Sequence, residues 1–265
     1  MHLASLRSAR IALPPGRMIT SDEGHGSRQP LWLGDEPPSP DLWGRICGAH
    51  ADSGLWPLLL LPLDGDDGFR PWATGELRPE DMSSPEDHDA ELVLAAWWRR
   101  HWEDDEEDLS PEIRLALTAP YGADWPGLAP APGDSSDADV MAAAYAEVFA
   151  EEYPQARLGL VEAPRSADAL AAVGWQGPRD HDGDTAKHAA VLRSWEDRFH
   201  ARVVAVGSGT LFLSVAAPPT TRDEALAVAA EHLAFSPAAP WQHTDHLTAY
   251  AEQLIDVNNW EFDWA

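Results

Sequence analysis

The sequence predicts an α+β protein, and three observations support that fold class. Several long segments carry apolar residues every three or four positions, as amphipathic helices do. Shorter apolar runs, such as residues 55–63 and 157–162, are typical of strands buried in a sheet. Two further apolar runs flank Gly207-Ser208-Gly209, which is a β-hairpin signal.

The first part of the chain, residues 1–154, is predicted to be an acidic, Trp-rich α/β region. Ser39-Pro40-Asp41 and Ser84-Pro85-Glu86 each provide a helix N-cap, a first-turn proline and a first-turn acid, and so predict two helix starts. The apolar side of the second helix is expected to consist of Leu94, Trp97, Trp98 and His101.

Two further elements are expected before residue 155. The apolar run at residues 113–118 predicts a strand. The segment from Asp137 to Glu152 predicts a helix, and the residues expected along one side of it are Val140, Ala144, Val148 and Glu151.

The second part, residues 155–265, shows a clear order of elements: strand, helix, hairpin, helix with one additional helix, and terminal strand. Thr221-x-x-Glu224 is a capping box that opens the helix after the hairpin. This order matches the split β-α-β pattern of ferredoxin-like sheets. We therefore expect a ferredoxin-like mixed or antiparallel sheet in this half, with the α/β N-terminal part packed on or beside it.

The charge of the chain limits the classes of partner. It contains 45 acidic and 18 basic residues, a formal net charge of −27, and the excess is concentrated in residues 1–154. Nucleic acids and anionic membranes attract basic surfaces, so neither is an expected partner. The charge suits a basic protein partner, or it simply maintains solubility, which is the more general explanation.

The compartment is expected to be the cytoplasm. Cys47 is the single cysteine, so no intramolecular disulfide can form. The N-terminal segment lacks a signal-peptide pattern, and no apolar run approaches the roughly 20 residues of a membrane span. P-loop, dinucleotide-binding and G-x-S-x-G motifs are also absent, so no cofactor is predicted.

Glu231 and His232 are the candidates for catalysis. Adjacent residues on a helix point about 100° apart, so the two side chains cannot directly share one substrate atom. One hypothesis is a general base or ligand that faces a pocket. The structural hypothesis, which is favoured, has His232 complementing the helix C-terminus and Glu231 bonding a neighbouring loop.

Asp180, Asp182 and Asp184 are weak candidates for a metal site. They match positions 1, 3 and 5 of a calcium loop, but Thr185 and Val191 occupy the positions of the required glycine and glutamate. Capping of the following helix is the favoured use of these acids, and no metal site is predicted.

Tryptophan is unusually frequent, with 13 residues in the chain. Because each indole can bury roughly 150–250 Å², we expect most of them in the core. An exposed subset would form a binding patch, and Trp264 is the best candidate for one.

The chain resembles a known bacterial domain of unknown function, DUF4253, over residues 157–264. The residues that carry the resemblance are Trp175-Gln-Gly-Pro178, Leu192 to Glu196, Pro218-Pro219, Ala229 to His232 with Phe235, and Trp260 to Trp264. Ser236 stands where members often have Cys, which weakens any thiol or metal role there. Upstream, Gly54 to Leu58, Pro71-Trp72 with Gly75-Glu76, and Trp125 to Leu128 resemble the N-terminal extension of actinobacterial members.

The resemblance implies a bacterial cytoplasmic protein with a shared pocket or surface near Trp195, Glu231 and His232. We expect a non-enzymatic protein-binding role, immunity-like or accessory, through an acidic surface that includes the acids from Asp81 to Glu91. The alternative is a small hydrolase or transferase that uses Glu231 and His232. The predicted binding residues are Trp195, Glu196, Trp264 and the acidic run Glu103, Asp104, Asp105, Glu106, Glu107 and Asp108.

Overall fold

The fold was established from a computed structural model that describes residues 3–22, 28–65, 68–103, 111–133, 136–237 and 246–264. The strands are β1 (Gly16–Ile19), β2 (Leu31–Gly34), β3 (Leu55–Leu60), β4 (Arg157–Glu162), β5 (Ala201–Val206), β6 (Thr210–Val215) and β7 (Asn259–Asp263). The helices are α1 (Ala4–Ser8), α2 (Leu42–Gly48), α3 (His50–Ser53), α4 (Ala90–Glu103), α5 (Pro111–Thr118), α6 (Ala138–Glu152), α7 (Ala169–Val173), α8 (Thr185–Phe199), α9 (Arg222–Phe235) and α10 (Leu247–Leu254). Short 3₁₀ helices occupy Pro85–Asp87 and Ser166–Asp168.

All seven strands belong to one mixed sheet with the order β1-β2-β4-β3-β5-β6-β7. Only β3 and β5 run parallel; every other neighbouring pair among these strands is antiparallel. The α+β class and the mixed sheet are therefore confirmed. Strands from both predicted regions share this sheet, and the boundary between residues 154 and 155 stays a prediction.

The ferredoxin-like strand order predicted for the second region is wrong. That arrangement would place β4 beside β6 and β7, but β3 separates β4 from β5, and β7 pairs with β6 alone. The physical reason lies in β3, whose six residues are all buried. A strand that is apolar on both faces is most stable in the interior of a sheet, so β3 inserts between strands of the second region.

Helices cover both faces of the sheet. Trp260 and Phe262 of β7 pack against Trp195 of α8 on one face. Phe212, which alternates with its neighbours on β6 and so points the opposite way, packs against Phe149 of α6. Helices α8 and α9 thus lie on one face, with α4 packed against them, and α6 lies on the other beside α2.

Several local predictions are confirmed. Thr221 and Glu224 form the capping box of α9, and Asp137 caps α6 through the amides of Asp139 and Val140. The helix starts predicted at Ser84 and Ser39 are only partly correct: Ser84 caps a 3₁₀ turn before α4, which begins at Ala90, and α2 begins at Leu42 without a side-chain cap bond. The predicted apolar stripe of α4, which includes His101, is buried.

One local prediction is wrong, and one predicted helix side proves to be the exposed one. Residues 111–118 form helix α5 instead of a strand, because Pro111 and Glu112 start a helix and Thr118 bonds back to the Arg114 carbonyl at 2.8 Å. On α6, Val140 and Val148 are 65% and 60% exposed, and the buried side consists of Ala142, Ala146 and Phe149. Small residues lie where α6 faces α2. Ala143 packs against Gly44, and a Cβ atom on residue 44 would stand only 2.9 Å from the Cβ of Ala143.

In the parts of the chain that the structure describes, no helix combines the length and the apolar character that crossing a bilayer requires.

Candidate functional site

Glu231 lies late in α9 and has no exposed surface. Its carboxylate accepts a bidentate pair of hydrogen bonds from Arg198 of α8, both at 2.7 Å. It also accepts the Trp195 indole N–H at 2.7 Å and the backbone N–H of Ala129 at 2.6 Å. We call these four residues the Glu231 network. Four donors satisfy the carboxylate, as a buried charge requires.

Arg198 connects the network to the N-terminal region. Besides Glu231, it donates to the Ala129 carbonyl at 2.7 Å and to the Ser194 hydroxyl at 3.0 Å. Ala129 follows the Trp125-Pro-Gly-Leu128 motif, so the network fastens this irregular segment to α8 and α9. The predicted use of Glu231 in bonding a neighbouring loop matches this geometry.

Sequence reasoning missed Arg198. The available signal was its position three residues after Trp195, which places both side chains on one side of α8.

His232 is also completely buried, beside Glu231 in sequence but in a different environment. Its Nδ1 lies 2.9 Å from the Tyr250 hydroxyl, and its ring contacts Trp260, Phe262 and Trp195 with centroid separations of 4.5, 4.8 and 5.2 Å. Burial lowers the pKa of His232 to about 3, so the imidazole is neutral at neutral pH.

Neither Glu231 nor His232 can contact a substrate in this conformation. A general base must come within hydrogen-bond reach of the proton that it abstracts, and both side chains have no solvent-accessible surface. The alternative of a hydrolase or transferase at this pair therefore has no supporting geometry. The pair acts instead as an ionic and aromatic centre of the core.

The acids of residues 180–184 serve local structure. Asp184 caps α8 through the amide of Ala186 and accepts the Ser83 hydroxyl at 2.6 Å. Asp182 pairs with Lys187 at 2.9 Å and accepts the Trp97 indole N–H at 3.2 Å. Asp180 is exposed. Within the described ranges, no group of three or more His, Cys, Asp or Glu residues is placed to hold a metal ion.

Two histidines form a cluster beside this loop, which sequence reasoning did not identify. The rings of His181 and His188 are 5.9 Å apart, and Trp97 contacts both, at 4.9 and 4.6 Å. Burial is the main cause that lowers the pKa of His188 to about 3 and of His181 to about 4. The position of His188 within an apolar helix stripe was the only sequence signal for this cluster.

The predicted binding residues of the second region prove to be largely internal. Trp195 is fully buried in the Glu231 network, so it cannot contact a partner directly, and its prediction as a binding residue is corrected by this burial. Glu196 accepts the Ala167 amide at 3.1 Å and pairs with Arg165 at 3.3 Å. Trp264 is half-buried, and its indole N–H donates to the Phe235 carbonyl at 3.3 Å.

Most other tryptophans are also internal. Nine indoles are buried, which matches the expected core role: Trp32, Trp43, Trp56, Trp72, Trp97, Trp98, Trp175, Trp195 and Trp260. The thiol of Cys47 is buried as well. Burial raises the pKa of Cys47 to about 12, so the thiol stays protonated and unreactive at neutral pH.

The acids that precede and begin α4 are different, because they are exposed. We define the 81–92 surface by its five exposed acids and one exposed leucine: Asp81, Glu86, Asp87, Asp89, Glu91 and Leu92. Leu92 is 71% exposed among them. Glu103 is exposed at the far end of α4, and Asp104 to Asp108 lie outside the described residues.

Comparison with known proteins identifies one part of the chain. No significant match was found among curated proteins or among solved structures. Residues 157–265 match the family model described as Domain of unknown function (DUF4253). These residues carry β4 to β7, helices α7 to α10, and three of the four members of the Glu231 network. This C-terminal segment of the chain therefore belongs to the DUF4253 family.

Proposed function

We propose that the protein is a non-enzymatic, cytoplasmic binding protein of the immunity-like or accessory type, and that its acidic N-terminal surface meets a basic protein partner. The supporting observation is the 81–92 surface. Within the described residues, Asp87 and Glu91 form no ion pair, whereas Glu86 pairs with Arg193 at 3.9 Å and Asp81 with Arg78 at 3.6 Å. Asp87 and Glu91 therefore keep their charge available to a partner.

The chemistry of this surface suits recognition of a basic protein. Uncompensated carboxylates attract a cationic partner over several ångströms and accelerate its association, and added salt screens this attraction. Leu92 supplies an apolar contact inside the charged area, which resembles the apolar centre and polar rim of protein interfaces. Glu103 lies on the same side of α4 as Leu92, about 17 Å along the helix, and extends the surface.

Affinity capture with charge-reversed baits tests the proposal. The double variant Asp87→Lys/Glu91→Lys reverses the 81–92 surface. The matched control Glu147→Lys/Glu151→Lys makes the same charge change on α6, on the opposite face of the sheet. We expect the wild type and the control to retain one basic protein from native lysate at low salt, and the first double variant to lose it.

High salt should release the same protein from the wild-type bait. Recovery of no partner, or equal retention by the two double variants, would contradict the proposal. Binding of that partner to the purified wild-type chain in a direct titration is the confirming measurement.

A further inference from the structure

A cavity of about 580 Å³ lies near the start of the chain, at the β1-β2 edge of the sheet. Six apolar residues line it together with Arg7 and Arg10: Leu3, Ile11, Ala12, Leu13, Pro14 and Trp32. Its volume falls within the ~300–1,000 Å³ typical of small-molecule sites. The site lies outside the segment that matches DUF4253.

The backbone of β1 is adapted to the indole of this cavity. Trp32 of β2 lies across Gly16 of β1, and a Cβ atom at residue 16 would stand 2.3 Å from Cζ2 of the indole. Because that distance is far below van der Waals contact, only glycine permits this position of Trp32. The position of Trp32, which is 4% exposed at the cavity, thus depends on a missing side chain in the neighbouring strand.

A tight turn after α1 holds Arg7 and Arg10 close together in space. Arg10 has a left-handed backbone (φ 60°), which is uncommon for a residue with a side chain. The turn is stabilised by the amide of Ile11, which donates to the Leu6 carbonyl at 2.9 Å, and by Arg45, which donates to the Arg10 carbonyl at 3.2 Å.

The charge of this cavity is opposite to that of the protein. Among the residues that the structure describes, none of the lining side chains is acidic, and neither Arg7 nor Arg10 forms an ion pair. Two arginines without carboxylate partners are notable in a chain with a net charge of −27. They create a local site where an anion is favoured.

We propose that this cavity binds a small carboxylate with an apolar aromatic or aliphatic body. Guanidinium groups bind carboxylates through paired, charge-assisted hydrogen bonds. The partly exposed side chains of Leu3, Leu13 and Pro14, with the accessible edge of Trp32, would bury the body of the ligand. This site is separate from the 81–92 surface and does not depend on the protein-binding role.

Calorimetric titration of the full chain with 2-naphthoate tests the proposal. We expect saturable one-to-one binding. The neutral analogue 2-naphthalenemethanol should bind at least about tenfold more weakly, because it lacks the charge that Arg7 and Arg10 recognise. The aliphatic arm compares decanoate with hexanoate, and decanoate should bind more tightly because it buries more apolar surface.

Variants of the two arginines locate the binding. Arg7→Gln and Arg10→Gln should each weaken 2-naphthoate binding by about tenfold, the loss expected for one charged hydrogen bond. Arg99→Gln is the matched control, because Arg99 is an exposed arginine on α4 away from the cavity. It should leave binding unchanged.

Since Arg7 and Arg10 are exposed, their variants should fold normally, and a thermal melt of each checks this. Gly16→Ala gives independent evidence, because its Cβ would collide with the Trp32 ring and the Leu33 carbonyl and should weaken 2-naphthoate in a variant that retains both arginines. A thermal melt of this variant checks that it still folds. The proposal is overturned if the wild type shows no saturable binding up to about 5 mM. It is also overturned if Arg99→Gln weakens binding as much as the two cavity variants.

Discussion

Acidic residues have opposite roles in the two regions of this protein. Around α4, Asp87 and Glu91 are exposed and form no ion pair among the described residues. In the DUF4253 segment, Glu231 is buried against Arg198, and Asp168 is buried against Arg193, with N–O distances of 2.5 and 2.9 Å. The comparison shows that burial and pairing, rather than the abundance of a residue type, decide whether a carboxylate maintains the fold or remains available to a partner.

The largest effect is expected from breaking the buried ion pair. Glu231→Gln removes the charge that compensates Arg198 while preserving the shape of the side chain. We expect the free energy of unfolding to fall by about 3–5 kcal/mol, the usual cost of an unpaired buried charge. Urea denaturation measures it, and a loss below about 1 kcal/mol would show that the network contributes little to stability.

The two completely buried histidines, His188 and His232, predict a pH-dependent stability. The pKa of His188 and of His232 in the folded protein is about 3, below the ordinary value of 6.5. The unfolded chain therefore binds protons more readily, and stability that is present above pH 6.5 is lost as the pH falls toward 3. Each histidine should cost roughly 2 kcal/mol between pH 6.5 and 5.

Urea denaturation at several pH values above 5 checks this window, because most carboxylates remain ionised there. His232→Leu serves as the comparison, and its stability should depend on pH less steeply than that of the wild type, by about one proton. An identical slope in both proteins would mean that His232 does not stay neutral in the fold.

A smaller loss is expected from Trp195→Phe. This change preserves an aromatic ring among Trp260 and Phe262 but removes the indole N–H that donates to Glu231. We expect a destabilisation of about 1–3 kcal/mol, the range for one hydrogen bond to a charged group. A loss equal to that of Glu231→Gln would show that the Trp195 indole contributes as much to the stability of the network as the ion pair does.

The smallest effect is expected at the exposed acids around α4. Glu91→Gln removes one carboxylate of the 81–92 surface by the same chemical change as Glu231→Gln. Its free energy of unfolding should stay within about 0.5 kcal/mol of the wild type, because the side chain is exposed and forms no described ion pair. A loss comparable with that of Glu231→Gln would remove the distinction between the two regions.

The sequence predicted the local elements of the DUF4253 segment well. Its strands, the capping box at Thr221 and the terminal alternation at Trp260 to Trp264 depend on neighbours a few residues away, and such signals are visible in one dimension. The prediction at residues 113–118 was wrong because a short apolar run is compatible with a strand or a helix. The sequence placed Val140 and Val148 on one side of α6, but only the structure showed that this side is exposed and that the opposite side is buried.

The candidate site was predicted only in part. Glu231 and His232 were recognised as unusual, and the structural hypothesis for Glu231 matches its observed bonds. Its partners were not predicted, because Arg198 is 33 residues away and Ala129 is 102 residues away. No local pattern specifies contacts over such separations.

The sequence by itself determined the α+β class, the family of the second region, the capping box of α9 and the acidic excess of the first region. Only the tertiary structure decided that β3 inserts between β4 and β5, that Glu231 is neutralised by Arg198, and that Arg7 and Arg10 line a cavity without acids. The physical reason is the separation along the chain over which each kind of interaction acts. Caps, turns and periodicity arise from interactions within one or two turns of the chain, whereas strand order, ion pairing and cavities depend on which distant surfaces are buried together.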